Sequence, residues 1–172
     1  MNEEQYLKIE TWLKSIDSRL EKIESNLVLK PTLHSTGIAT QSAGVEKLAN
    51  FLNSSPKDIL NIINFGEDGE FNFLFNIDGK NEAEKQVNAT LCTLTVLYYC
   101  KDQEEITTIN LKQKLEFLGI NLLDNLSHTL KKQKRLVILK GKKGSSKFNY
   151  KITQPGLTAG LKILSEKMMT NN

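Results

Sequence analysis

Apolar residues fall at Tyr6, Ile9, Leu13, Ile16, Leu20, Ile23 and Leu27, at spacings that alternate three and four without a break. That is a heptad seam, and it predicts a coiled-coil helix over residues 1–30. With Tyr6 at position a, Leu13, Leu20 and Leu27 also fall at a, and Ile9, Ile16 and Ile23 fall at d. Leucine at a with isoleucine at d favours more than two strands in parallel assemblies, so self-association as a dimer or a tetramer is expected. Arg19 at g and Glu24 at the following e form an attractive pair between chains. The plainer alternative is an amphipathic helix laid on the protein's own body. Trp12, at g, favours that alternative, whereas the lack of a third apolar row speaks against it. Residues 31–43, from Pro31 onward, are mostly Ser, Thr, Gly, Ala and Gln, the composition of a flexible linker, with His34 as a solvated residue in it.

Helical spacing resumes at Val45, Leu48, Ala49, Phe51 and Leu52. Ser54-Ser55-Pro56 supplies a cap and a first-turn proline for a second short helix through Ile59, Leu60, Ile62 and Ile63. Gly66-Glu67-Asp68-Gly69 interrupts the pattern, and Phe71, Phe73 and Phe75 then alternate with polar residues as a strand with one aromatic face. Those rings could stack nucleic-acid bases, but Glu67, Asp68 and Glu70 beside them repel phosphate. Packing in a core or against a protein partner is the expected use of the Phe71/Phe73/Phe75 face. Residues 44–79 are thus expected to form a small module of two helices and a strand.

Residues 80–172 carry the longest pattern. A helix runs from Glu82 to Cys100, hydrophilic first and then apolar. A short strand at Ile106-Thr107-Thr108 precedes a helix capped by Asn110, apolar at Leu111, Leu115 and Leu118 and closed by Gly119. A third helix is expected to open at Asn121, with Asp124 at its third position and Leu126 and Leu130 turned inward. Leu136 to Leu139 reads as a strand, Lys140 to Lys147 as a glycine-rich basic loop, Phe148 to Thr153 as the returning strand, and Leu157 to Leu164 as a closing helix. The fold class is therefore mainly α with a small β component, α+β overall.

Charge sharpens this picture. From Asn125 to Ser165 there are ten lysines and arginines and no acid, so this interval carries +10 while the whole chain is +3. The remainder holds 13 bases against 20 acids, a charge of −7. A cationic face on an otherwise acidic body concentrates field where it meets a polyanion, with nucleic acid the leading choice. A charge run is also commonly no more than a solvated face.

The order helix, strand, helix, turn, helix, strand, basic hairpin tip, strand resembles the winged helix-turn-helix superfamily over residues 80–172. Two stretches carry the likeness. Asp124-Asn125-Leu126-Ser127-His128-Thr129-Leu130-Lys131-Lys132 is similar to a recognition helix. Tyr150-Lys151-Ile152-Thr153-Gln154-Pro155-Gly156 is similar to the strand-end leucine-threonine-proline-x-glycine signature of prokaryotic winged-helix regulators, with isoleucine for leucine and the proline displaced by one. The resemblance implies double-stranded DNA as partner and transcription regulation as role. Asn125 and His128 would then reach base edges, and Lys131, Lys132, Lys134 and Arg135 would meet phosphates. In the wing, Lys140, Lys142, Lys143 and Lys147 would approach the backbone. Winged helices also dock proteins, so an interaction module assembled through the coiled coil is the competing expectation.

Catalysis, a cofactor and a metal are not expected: His34 and His128 share no ligand spacing with Cys92 or Cys100, and Gly141-Lys142-Lys143-Gly144-Ser145 lacks phosphate-loop spacing. No apolar run approaches a membrane span, the first residues lack signal-peptide features, and the two cysteines read as free thiols. A cytoplasmic, nucleoid-associated location is the resulting expectation.

Overall fold

The computed structural model describes residues 35–66, 70–141 and 148–170. The chain divides between Thr36 and Gly37 into two compact units, and the second, beginning at Gly37, holds both sheets and the hydrophobic core. The heptad segment over 1–30 lies outside the described residues.

Helix α1 runs Ser35–Phe51 and α2 runs Pro56–Ile62. The short strands β1 (Ile63–Phe65) and β2 (Phe71–Phe73) come after it, then the long helix α3 (Glu82–Lys101). Next come β3 (Glu105–Thr107), α4 (Thr108–Phe117), a 3-10 turn at Leu123–Asn125 and α5 (Leu126–Lys131). Strands β4 (Val137–Lys140) and β5 (Asn149–Ile152) and helix α6 (Gln154–Thr170) complete an α+β chain.

α3 is the axis of the core. Nine consecutive residues, Ala89 to Leu97, are buried, so neighbours cover every side of this helix. Asn81 starts it, its side chain accepting the Glu84 amide at 2.9 Å. Asp102 ends it in the left-handed region at φ 49°. α6 lies against α3 at Gly160, where a methyl group would sit 2.1 Å from Thr95 Oγ1 and force the helices apart. Cys92 and Cys100 are free on α3, and burial pushes both thiols up to about 12.

Two antiparallel sheets flank this axis. β1 pairs with β2 in the register Ile63↔Phe73 and Phe65↔Phe71. The other sheet has the order β3-β5-β4, with Ile106 opposite Tyr150 and Leu139 opposite Tyr150 on its two sides. Tyr150, fully buried at the centre, anchors it to the core.

Several sequence expectations need correction. Residues 35–43, expected as linker, belong to α1, a helix in which the only described breaker before Gly44 is Gly37. Ile63 is not helical. It turns to extended backbone (φ −132°, ψ 121°) and starts a strand that the apolar spacing did not predict, because pairing with β2 overrides a weak local preference. The Phe71/Phe73/Phe75 face, by contrast, packs in the core as expected: Phe71 and Phe73 are buried among the chain's own side chains, with Phe75 packed partly against them. One hydrophobic core spans Val45 to Met168, which joins the expected modules 44–79 and 80–172 into a single body. Thr107, not Asn110, caps α4, accepting the Asn110 amide at 3.3 Å.

Candidate nucleic-acid interface

α4 and α5 are joined by a short connection that carries the 3-10 turn. Gly119 (φ 71°) and Leu122 (φ 57°) both adopt left-handed backbone in the turn, which reverses the chain within a few residues. Ile120 and Leu123 are buried and hold the turn on the core. From α3, the Gln86 side-chain amide donates to the carbonyls of Asn121 and Leu122 at 2.9 and 3.1 Å. Asn121 is therefore held through its backbone, and the helix expected to open there begins two residues later as a 3-10 turn. Asp124 caps nothing in it. Its fully exposed carboxylate lies 3.5 Å from Lys112 Nζ.

Leu126 and Leu130 have no exposed surface, as their spacing predicts, and they seat α5 on the core. Ser127 and Tyr150 share a 2.8 Å hydrogen bond between hydroxyls, which ties α5 to the central strand β5. The opposite face presents His128 and Lys131, with Asn125 just ahead of the helix and Lys132 just past it, and all four are exposed. Lys131 Nζ stands 5.4 Å from the centre of the Phe148 ring, a cation–π contact that draws it toward the strand end.

α5 stops at Lys131, so Lys132, Lys134 and Arg135 lie on the following turn rather than on a continuing helix face. Main-chain bonds from Gln133 to Leu130, and from Leu136 and Val137 back to Gln133, shape that turn. Thr153 clamps its far side: its hydroxyl contacts the carbonyls of Arg135 and Leu136 at 2.6 and 3.0 Å, and accepts the Gly156 amide at 3.1 Å. The Thr153-Gln154-Pro155-Gly156 stretch thus has a local mechanical role. It starts α6 and fixes the basic turn in one move.

The ten positive charges of the 125–165 interval are not equivalent in space. Lys140 pairs with Glu105, and Lys151 pairs with Glu104, both across the sheet from the β3 side. The hydrogen bond from Lys140 holds the Glu105 carboxyl below the usual carboxylate range, and the bond to Glu104 holds the Lys151 amine above its ordinary value. Among the described residues, Lys131, Lys132, Lys134 and Arg135 have no acidic partner. Unpaired charge therefore collects at the end of α5 and the turn behind it. Lys142, Lys143 and Lys147 lie outside the described residues.

The structure brings Asn125, His128, Lys131, Lys132, Lys134 and Arg135 onto neighbouring stretches of chain and places Lys140 in an ion pair apart from them. The positioning residues Gln86, Ser127, Tyr150 and Thr153 could not be found from sequence spacing, since their partners lie 17 to 36 residues away. Among the described residues, no group of His, Cys, Asp and Glu could hold a metal ion, and no helix is long and apolar enough to cross a membrane.

Comparison with known proteins gives no match, whether to a family model, a curated protein or a solved structure.

Proposed function

We propose that this chain is a winged helix-turn-helix protein that binds double-stranded DNA, works as a prokaryotic transcription regulator in the cytoplasm, and self-associates through its N-terminal heptads. The observation that carries this reading is the exposed face of α5, continued by a basic turn without acidic partners. A helix mounted this way enters the major groove, with its early residues toward base edges and later cations on phosphates. Asn125 and His128 take the first role; asparagine can bridge the N6 and N7 atoms of adenine. Lys131, Lys132, Lys134 and Arg135 take the second. The β4–β5 hairpin is the wing. The role is one of binding, with no reaction and no cofactor.

Titration of the full-length protein with a random duplex across several salt concentrations tests it. If the four unpaired cations each meet a phosphate, log K falls against log salt with a slope of about −3.6 or steeper. Absence of binding, or a flat response, sinks the reading and hands the protein to the interaction-module class. The exposed apolar side chains Ile109, Phe117 and Leu122 around α4 are the observation that serves that second class.

The assembly half of the proposal rests on the heptad seam and has its own check. Ile16→Asp places an unpaired charge at a d position, and light scattering is expected to report a smaller species than the unaltered protein. An unaltered protein that is already monomeric at micromolar concentration removes the coiled coil from the proposal.

A further inference from the structure

Asp124 is the misfit of the candidate interface. It stands immediately ahead of Asn125, where the acid-free interval begins, and no further acid follows until Glu166. A negative charge at the leading end of a basic surface repels phosphate, so it costs DNA affinity unless it makes a contact of its own.

No structural use offsets that cost. The 3-10 turn Leu123–Asn125 opens without a side-chain cap, and the Asp124 carboxylate is fully exposed. Its pairing with Lys112 Nζ, from α4, is at 3.5 Å, and a pair this exposed adds little to stability. What Lys112 does is offset part of the charge. The ammonium lies on Oδ1 and leaves Oδ2 without a partner among the described residues.

An acid with its charge partly offset and an acceptor atom to spare suits a base edge rather than a phosphate. An ionised carboxylate accepts hydrogen bonds and cannot donate them. In the major groove, guanine presents acceptors at O6 and N7, and thymine presents one at O4. Adenine has a donor at N6 but sets the N7 acceptor beside it. Cytosine, with its N4 amino group, is the base that offers a donor alone. We infer that Asp124 is a specificity-determining residue that selects cytosine, at a base pair close to the one Asn125 reads. This rests on the DNA reading above and adds to it a base and an acceptor that the basic residues cannot supply.

Selection of bound sites from a randomised duplex library, by the unaltered full-length protein and by Asp124→Ala, tests the assignment. The unaltered protein is expected to enrich cytosine over guanine about tenfold at one position. Asp124→Ala is expected to lose that preference alone, to keep the rest of the site, and to bind random DNA more tightly because a negative charge is gone. Exchanging the selected cytosine–guanine pair for thymine–adenine is expected to weaken the unaltered protein about tenfold and to leave the alanine variant almost unaffected. Asp124→Asn is expected to prefer adenine there, since an amide can bridge N6 and N7. The side chain is fully exposed, so both variants are expected to melt as the unaltered protein does. If Asp124→Ala selects the same site as the unaltered protein, or the unaltered protein binds duplex DNA without enriching cytosine, the assignment is overturned and the DNA reading stands. If the unaltered protein binds no duplex at all, both fall together.

Discussion

Replacing Lys132, Lys134 and Arg135 together by glutamine is expected to weaken binding to every DNA duplex about a hundredfold at physiological salt, and to flatten the salt slope by about 2.7. All three side chains are exposed, and none has an acidic partner among the described residues, so no ion pair must break before each meets a phosphate. Each contact releases about 0.9 of a counterion, which near 0.15 M salt amounts to about 0.7 log units of affinity. Lys140→Gln alone is expected to do much less, because Glu105 already neutralises that lysine. Asn125→Ala gives the contrasting pattern. It is expected to cost about 1–3 kcal/mol on the preferred sequence and almost nothing on random DNA, since a base edge is lost and no phosphate is. Titrating the variants against both duplexes at two salt concentrations checks this. An unchanged slope in the triple variant would mean that the basic turn faces water.

The largest stability effect is expected from Gly156→Ala. A methyl group there would lie 2.2 Å from the Leu136 carbonyl oxygen and 2.9 Å from Ile152 Cγ1. The first neighbour is main chain, held by bonds from the Thr153 amide and hydroxyl, so it has no flexible end that could give way. Either α6 lifts from the sheet or the basic turn shifts, at a cost of about 3 kcal/mol and a melting temperature about 10 °C lower. Gly119→Ala is the control. It meets nothing within 4 Å but needs φ 71°, so only backbone strain of about 1 kcal/mol is expected. Thermal unfolding of the two variants side by side gives the comparison. Equal losses would mean that close approach at Leu136 does not limit the fold.

Periodicity made the long elements legible. α3 and α6 are where apolar spacing places them, and Leu126 and Leu130 are buried as the helix period demands. What the sequence could not disclose depends on distant partners. Ile63 to Phe65 continues an apolar helical run in sequence, and only the pairing with Phe71 to Phe73 turns it into a strand. Leu122 takes left-handed backbone without being glycine or asparagine, and Gln86, 36 residues earlier, braces it. Asn121 looks like a cap, but it is gripped through its carbonyl instead. For the candidate interface, a charge count along the chain includes the stretch where cations without acidic partners collect among the described residues. It overstated the field, because Glu104 and Glu105 come back across the sheet to cancel Lys151 and Lys140.

The placement of both cysteines on α3 makes the native core chemically quiet and self-reporting. Burial raises both thiols well above their ordinary value, so little thiolate forms near neutral pH and alkylation of the closed protein is slow. Labelling then waits on opening. Cys100 neighbours Gly44 of α1, where a methyl group on that glycine would sit 2.4 Å from the Cys100 carbonyl, whereas Cys92 lies fully buried nearer the middle of the helix. Reagent uptake at partly buried Cys100 therefore precedes uptake at Cys92, which waits on the parting of the central layer, two rates read from one unmodified chain.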